Sequence, residues 1–206
     1  MKYIVGGIIL TLLNWFIITM VIDWRLMTLP IPHFKKGNYP EAFLIKKENR
    51  MDIQNAYNCS AFSTAFLLRH FGIEAEGNDI YNKMPGKMKS GYVYQKGIRQ
   101  YFSEQGMKTY YYRGNIDQLK REISKGIPVI VFIKVYADKE YLHYVPVVGY
   151  DKEHLYIAES LGELVNCTDS SYYNRRVSIN DFKKLWKTGN IKMPLYSNTY
   201  ITVRSV

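Results

Sequence analysis

The chain has 206 residues, 47% of them hydrophobic and 22% charged, a balance that supplies one globular domain with a sizeable core and excludes an intrinsically disordered protein. Twenty-eight Lys and Arg against eighteen Asp and Glu leave a net charge of +10, which favours contact with anionic surfaces or polymers. The basic residues come as short pairs, Lys35-Lys36, Lys46-Lys47, Arg175-Arg176 and Lys183-Lys184, with no long basic arm and no nucleic-acid motif, so no nucleic-acid partner is expected.

The first element is apolar. After Met1-Lys2, residues Tyr3 to Ile22 carry no charged side chain, and about twenty helical residues at ~1.5 Å each match a ~30 Å hydrocarbon core. Residues 1–23 are therefore expected to form a transmembrane anchor, with Tyr3 and Trp24 placed as interfacial aromatics. Nothing resembling an Ala-x-Ala cleavage site follows, which favours an anchor over a cleaved signal. Lys2 on one side is balanced by Arg25, Lys35 and Lys36 on the other, so charge does not decide the orientation. Residues 24–50, broken by Pro30, Pro32 and Pro40, read as a linker, and residues 51–206 as the domain proper.

From Cys59 to Phe71 apolar residues recur at helical spacing, with Asn58 in position to cap the start and Gly72 to stop the run. Cys59 falls in the first turn, where free N–H groups and the helix dipole favour a thiolate, the nucleophilic form of the side chain. A short helix is expected from Asn78 to about Met84 and a longer one from Tyr92 to Gln105. The period then changes. Lys108 to Tyr112 reads as a strand, Asn115 caps a helix running to Lys125, and Ile127 to Tyr136 is a nearly continuous strand run. Tyr141 to Tyr150 and Leu155 to Glu159 read as strands joined by the tight Asp151-Lys152-Glu153 connection. A helix at Ile179 to Lys187 and a strand at Tyr200 to Val203 complete an α+β layout, a helical first half packed on a mostly antiparallel sheet.

Two cysteines, Cys59 and Cys167, do not make a disulfide framework, and Cys167 reads as a free thiol or a redox lock on Cys59. His33, His70, His143 and His154 lack metal-ligand spacing, so no zinc site is expected. His70 reads as a helix-end residue and His154 as an exposed turn residue. Taken singly, a cysteine at the start of an apolar helix or a histidine opening a strand is most simply structural.

Several motifs in order carry a resemblance. Gln54-x-x-x-x-Cys59, the helix ending Arg69-His70-Phe71-Gly72, the strand entry Gly126-Ile127-Pro128-Val129-Ile130, the run His143-Tyr144-Val145-Pro146-Val147-Val148-Gly149-Tyr150 and the late Ile179-Asn180-Asp181-Phe182-Lys183-Lys184-Leu185-Trp186 segment are together similar to the double-glycine (bacteriocin-processing) peptidase-like family of papain-like cysteine peptidases. The likeness runs from about Asp52 to Val203. It implies a papain-like fold, with Cys59 as nucleophile, His143 as its base, Gln54 as an oxyanion donor and Glu159 in place of the aspartate that orients the imidazole. Asn166, Asp151 and Asp169 are weaker candidates for that last role. This sequence departs from the pattern in three places: Gln54 precedes Cys59 by five positions where one more is usual, Ser60 stands where glycine is common, and Glu159-Ser160 replaces an Asp-Pro type ending.

The resemblance implies a cysteine peptidase acting on a peptide or protein substrate with no metal or organic cofactor; together with the apolar N-terminal run, the expectation is a membrane-anchored enzyme with its domain outside the cell. The alternative is an anchored binding or immunity-type module that keeps the fold without turnover. A His143 turned away from Cys59, or a cleft filled by Tyr172-Tyr173, would favour the alternative.

Overall fold

A computed structural model describes residues 2–26, 29–33, 37–190 and 195–205 and, within the first helix, the side chains of residues 4–18. That helix, α1 (Lys2–Leu26), presents only exposed side chains from Ile4 to Ile18. Among the described residues, however, no helix is long and apolar enough to cross a membrane. The side chains of Tyr3 and Trp24 and the pair Lys35-Lys36 lie outside the described residues.

The remaining elements in chain order are β1 (Ile31–Pro32), β2 (Phe43–Leu44), α2 (Cys59–His70), α3 (Gly77–Lys83), α4 (Gln95–Glu104), β3 (Met107–Arg113), α5 (Ile116–Ile123), β4 (Val129–Lys134), β5 (Leu142–Tyr150), β6 (His154–Ile157), β7 (Arg175–Ser178), α6 (Ile179–Leu185) and β8 (Thr199–Ser205). They form an eight-stranded sheet in the order β1-β3-β8-β4-β5-β6-β7, with β2 added against β5. Among the described residues, only the β1–β3 pairing is parallel.

Two apolar clusters sandwich this sheet. Residues of α2, α3 and α4, including Ala65, Leu68, Ile98 and Phe102, pack with Tyr144, Val148 and Ile201. Leu119 and Ile123 of α5 and Phe182 and Leu185 of α6 pack with Val145, Val147 and Tyr200 in the other. From Tyr144 to Val148 the alternation along β5 divides its side chains between the two clusters, as the period of two requires, and past the irregularity at Val147 to Gly149 Tyr150 joins the second cluster.

Local chemistry accounts for several boundaries. The Asn115 side chain accepts from the N–H groups of Asp117 and Gln118, while Gln118 returns a bond to the Asn115 N–H, a complete capping box for α5. Asp151 Oδ1 accepts from the N–H groups of Glu153 and His154 and so closes the β5–β6 turn. His154 in that turn is half-buried, not exposed. Gly72, at φ 83°, follows α2 where a side chain would be strained.

Three local expectations change. Asn58 does not cap α2 with its side chain; its carbonyl accepts from the N–H groups of Ala61 and Phe62 instead. Tyr92 to Tyr94 are not helical, because Val93 bridges Lys87 and α4 begins only at Gln95. Residues of the 24–50 segment join the sheet: β1 pairs with β3, β2 pairs with β5, and Pro30, His33 and Ile45 are buried.

Candidate active site

Cys59 opens α2 and is 6% exposed. With no side chain capping this terminus, the Cys59 and Ser60 N–H groups lie at the open helix end beside the thiol, while the Ala61 N–H bonds the Asn58 carbonyl. His143 is the second residue of β5 and is 1% exposed. Glu159 follows β6, also 1% exposed.

The sheet register brings the imidazole and the carboxylate together. Val147 pairs with Ile157, and the Ala158 N–H donates to the Pro146 carbonyl, which carries the pairing one step further. Continued by another step, this register sets Glu159 opposite Val145 and makes His143 its diagonal neighbour on the same face, within reach of two long side chains. A β-bulge between Val147 and Gly149 sets this register apart from the one next to the turn.

His143 Nε2 donates to Glu159 Oε1 at 2.7 Å. The same oxygen accepts from the N–H groups of Ser160 and Leu161, both at 2.8 Å. Oε2 accepts from Arg175 Nη1 at 2.7 Å. The backbone of Glu159 is clamped by Asn174, whose amide accepts from the Glu159 N–H at 2.6 Å and donates to its carbonyl at 2.9 Å. A carboxylate one methylene longer than aspartate is therefore tied down at both oxygens and on both sides of its backbone.

The electrostatics follow from these contacts. Burial by itself would lower the His143 pKa, but the Glu159 charge, together with the hydrogen bond to Cys59 and its electrostatic contribution, outweighs burial and raises the imidazole to about 10. Burial would raise the Glu159 carboxyl, yet His143, Arg175 and the Leu161 N–H hold it at about 2. The imidazole thus uses Nε2 for Glu159, leaving Nδ1 as the ring nitrogen available to Cys59. Neighbouring phenols also feel the thiol: burial, with Cys59 among the nearby charges, pushes both Tyr92 and Tyr144 up.

Gln54 sits at the edge of this group. Its backbone N–H donates to the Ser160 carbonyl at 2.8 Å, its Oε1 accepts from Ser160 Oγ at 2.7 Å, and its Nε2 donates to the Ala56 carbonyl. The Ser160 that replaces proline therefore ties Gln54 to the Glu159 turn, and one amide hydrogen of Gln54 remains beyond the bond to Ala56. Ser60 is 1% exposed, and its Oγ has no hydrogen-bond partner among the described residues. Asp151 is taken up by the turn and by the Tyr156 hydroxyl, and Asn166 bonds the backbone of Arg176, so neither serves His143. Tyr173 stacks on Tyr156 at 4.5 Å.

Both cysteines are free thiols. Among the described residues, no group of His, Cys, Asp and Glu could hold a metal ion. Sequence reasoning missed Arg175 and Asn174, although the Arg175-Arg176 pair was noted as a charge run. Their signal was a polar stretch before an alternating Arg175-Arg176-Val177-Ser178 strand, too short to stand out alone.

A cysteine at a helix N-terminus, packed on a sheet that presents a histidine with a buried carboxylate behind it, defines an α+β papain-like cysteine-peptidase fold. Residues 43–190 match the model of the Peptidase_C39 like family, and the chain belongs to that family. Its fold is similar to the peptidase domain of Streptococcus ComA, a bifunctional ABC transporter of a quorum-sensing pathway, at 16% identity and TM-score 0.56, covering 75% of this chain and 97% of that one. It is also similar to a putative C39-like peptidase from Bacillus anthracis, at 18% identity and TM-score 0.59, with coverage of 79% and 98%. A double-glycine motif protease from an AMS/PCAT transporter, solved with its leader peptide, aligns at 12% identity and TM-score 0.55, with coverage of 79% and 98%. Among curated proteins none matches.

Proposed function

We propose that this protein is a cysteine peptidase that cleaves a peptide bond through an acyl-Cys59 intermediate. The observation that carries the reading is the buried imidazole of His143, which interacts with Cys59 and holds Glu159 at 2.7 Å. In the proposed sequence the Cys59 thiolate adds to the substrate carbonyl, and the charge that develops on oxygen meets the first-turn N–H groups of α2 and the second Gln54 amide hydrogen. His143 then gives its proton to the leaving amine, and the C–N bond breaks to leave the thioester. Water attacks next, passing a proton to His143, and the tetrahedral adduct collapses with return of the thiolate. Glu159 keeps Nε2 protonated and stabilises the imidazolium throughout.

The interaction of His143 with Cys59 favours this reading over the binding-module alternative. The test is the pH-dependent rate of Cys59 alkylation by iodoacetamide in wild type, His143→Ala and Cys167→Ala. Fast labelling well below the free-thiol pKa of ~8.5, lost in His143→Ala and kept in Cys167→Ala, is the expected outcome. Slow labelling indifferent to His143 would sink the reading.

The family's peptidases, as the ComA and AMS/PCAT proteins illustrate, point to a peptide substrate. We further propose attachment to the cell membrane through α1, with the catalytic domain outside, supported by the uncharged run from Tyr3 to Ile22 and the exposed side chains from Ile4 to Ile18. Carbonate-resistant sedimentation of the full chain with membranes is expected, and external protease is expected to reach the domain in intact cells; recovery in the carbonate supernatant overturns the attachment.

A further inference from the structure

Along the outer face of α4 two concavities join into one groove whose charged lining is cationic. The first, about 690 Å3, lies between α4 and the start of β3, with Lys96, Arg99, Gln100, Ser103, Lys108 and Thr109 in its wall. The second, about 840 Å3, shares Lys96 and Gln100 and continues to Lys89, Met88 and Tyr94. Among the described residues, no carboxylate lines either part. Helical spacing makes the stripe: positions 96, 99, 100 and 103 fall on one face, opposite the fully buried Ile98 and Phe102.

The cations differ in availability. Lys87, at the far wall, is committed to the carbonyls of Tyr81 and Asn82. Arg99 is half-buried, its Nε donates only a long bond to Thr109 Oγ1 at 3.4 Å, and it belongs to no ion pair among those described. Burial accordingly pushes its guanidinium pKa down. Lys108 extends over the Tyr110 ring at 5.6 Å.

The groove leads toward Cys59. The 87–93 stretch folds back on itself through the Lys87–Val93 bridge and the Met88 N–H to Tyr92 carbonyl bond. Tyr92, two residues before Tyr94 of the groove wall, packs its ring against Tyr57 at 4.9 Å, and Tyr57 stands two residues before Cys59.

The geometry points to an acidic stretch of the peptide substrate as the occupant of this groove, a segment rich in Asp or Glu that flanks the cleaved bond and sets its carboxylates against Lys96, Arg99 and Lys108. This assignment rests on the peptidase reading. The mixed wall fits a polypeptide: Ser103 and Thr109 can bond backbone amides, Gln100 already gives one amide hydrogen to the Glu104 carboxylate at 3.0 Å, and Met88 and Tyr94 offer apolar contacts that a phosphate polymer does not use. A concave surface also suits an inserted chain better than a flat bilayer.

The test uses the full-length Cys59→Ala protein, which cannot turn over, with a fluorescein-labelled Glu-rich peptide and its Gln-substituted twin. Three cation–carboxylate contacts at about 0.5 kcal/mol each correspond to roughly tenfold tighter binding of the Glu peptide. That preference is expected to fall below about threefold when Lys96→Gln, Arg99→Gln and Lys108→Gln are combined, and to shrink as salt shortens the Debye length from ~8 Å. Circular dichroism checks the fold of the triple variant, and the exposed pair Lys96→Gln/Lys108→Gln provides a milder version. Equal affinity for the two peptides, or a preference retained without the three cations, overturns the assignment. So does groove-dependent binding of polyphosphate or anionic-lipid vesicles by a protein that ignores the Glu peptide. Alkylation of Cys59 in the wild-type chain reads the peptidase function separately, so failure of one is distinguishable from failure of the other.

Discussion

Replacing Glu159 by glutamine separates the two tasks that this carboxylate performs. The His143 imidazole is raised to about 10, and Glu159 opposes the burial that would otherwise lower it. A fall from about 10 to the ordinary ~6.5 corresponds to roughly 4–5 kcal/mol; taking about half as the share of Glu159, since Cys59 contributes too, leaves roughly 2 kcal/mol, about a thirtyfold loss of the thiolate–imidazolium pair. Glu159→Gln also strands the buried Arg175 guanidinium, whose Nη1 lies 2.7 Å from Glu159 Oε2, at a cost of about 3–5 kcal/mol. The two costs divide when Arg175→Met is added. Stability, read by denaturant unfolding, is expected to recover most of its loss because no unpaired charge remains. The rate of Cys59 alkylation at pH 6 is expected to stay about thirtyfold below wild type in both variants, because no carboxylate faces Nε2. An alkylation rate that recovers together with stability would refute the assignment of Glu159 to the imidazole, as would a Glu159→Gln protein that labels like wild type.

The same pair sets a stability window in pH. Glu159, held at about 2 from its ordinary 4.5, contributes stability that is present above about pH 4.5 and lost as pH falls through about 2; His143, raised from 6.5 to about 10, contributes stability that is full below about pH 6.5 and lost as pH rises through about 10. The difference in Tm between wild type and the Glu159→Gln/Arg175→Met protein is thus expected to peak between about pH 4.5 and 6.5, and a flat difference from pH 2 to 10 counts against the coupling. Asn174→Ala removes both bonds to the Glu159 backbone and is expected to cost about 1–3 kcal/mol while slowing Cys59 alkylation less than Glu159→Gln does; alkylation at the Glu159→Gln level would give Asn174 a larger part. Gly149→Ala places a Cβ 2.8 Å from both Leu44 Cδ1 and the Phe43 carbonyl, so it is expected to destabilise by about 1–3 kcal/mol through the β2–β5 pairing, and an unchanged Tm refutes the close packing.

Local pattern and local chemistry determined much of this molecule before any tertiary contact was known. The helical run opened by Cys59, the Asn115 capping box, the β-branched run of β4 and the Asp151 turn each carry their signal within a few residues, because periodicity, caps and tight turns are short-range effects. The order of Gln54, Cys59, His143 and Glu159 was legible in the same way, and so were the α+β class and the family.

Other features exist only through their partners. The two-residue strands β1 and β2 have no periodicity to read and are strands because β3 and β5 supply their hydrogen bonds. Tyr92 to Tyr94 carry helix-compatible residues, yet the bridge to Lys87 takes them out of α4. Arg175 was visible only as half of a basic pair. Its role depends on the β6–β7 register, which pairs it with Ile157 and sets its guanidinium against Glu159. Asn174 and the Ser160 link to Gln54 are contacts across 15 and 106 residues of chain. A sequence states which side chains can donate, accept or ionise. Which of them meet in the dry interior, and so whether an imidazole is raised or lowered there, is decided by the strand register that brings partners distant in the chain within about 3 Å.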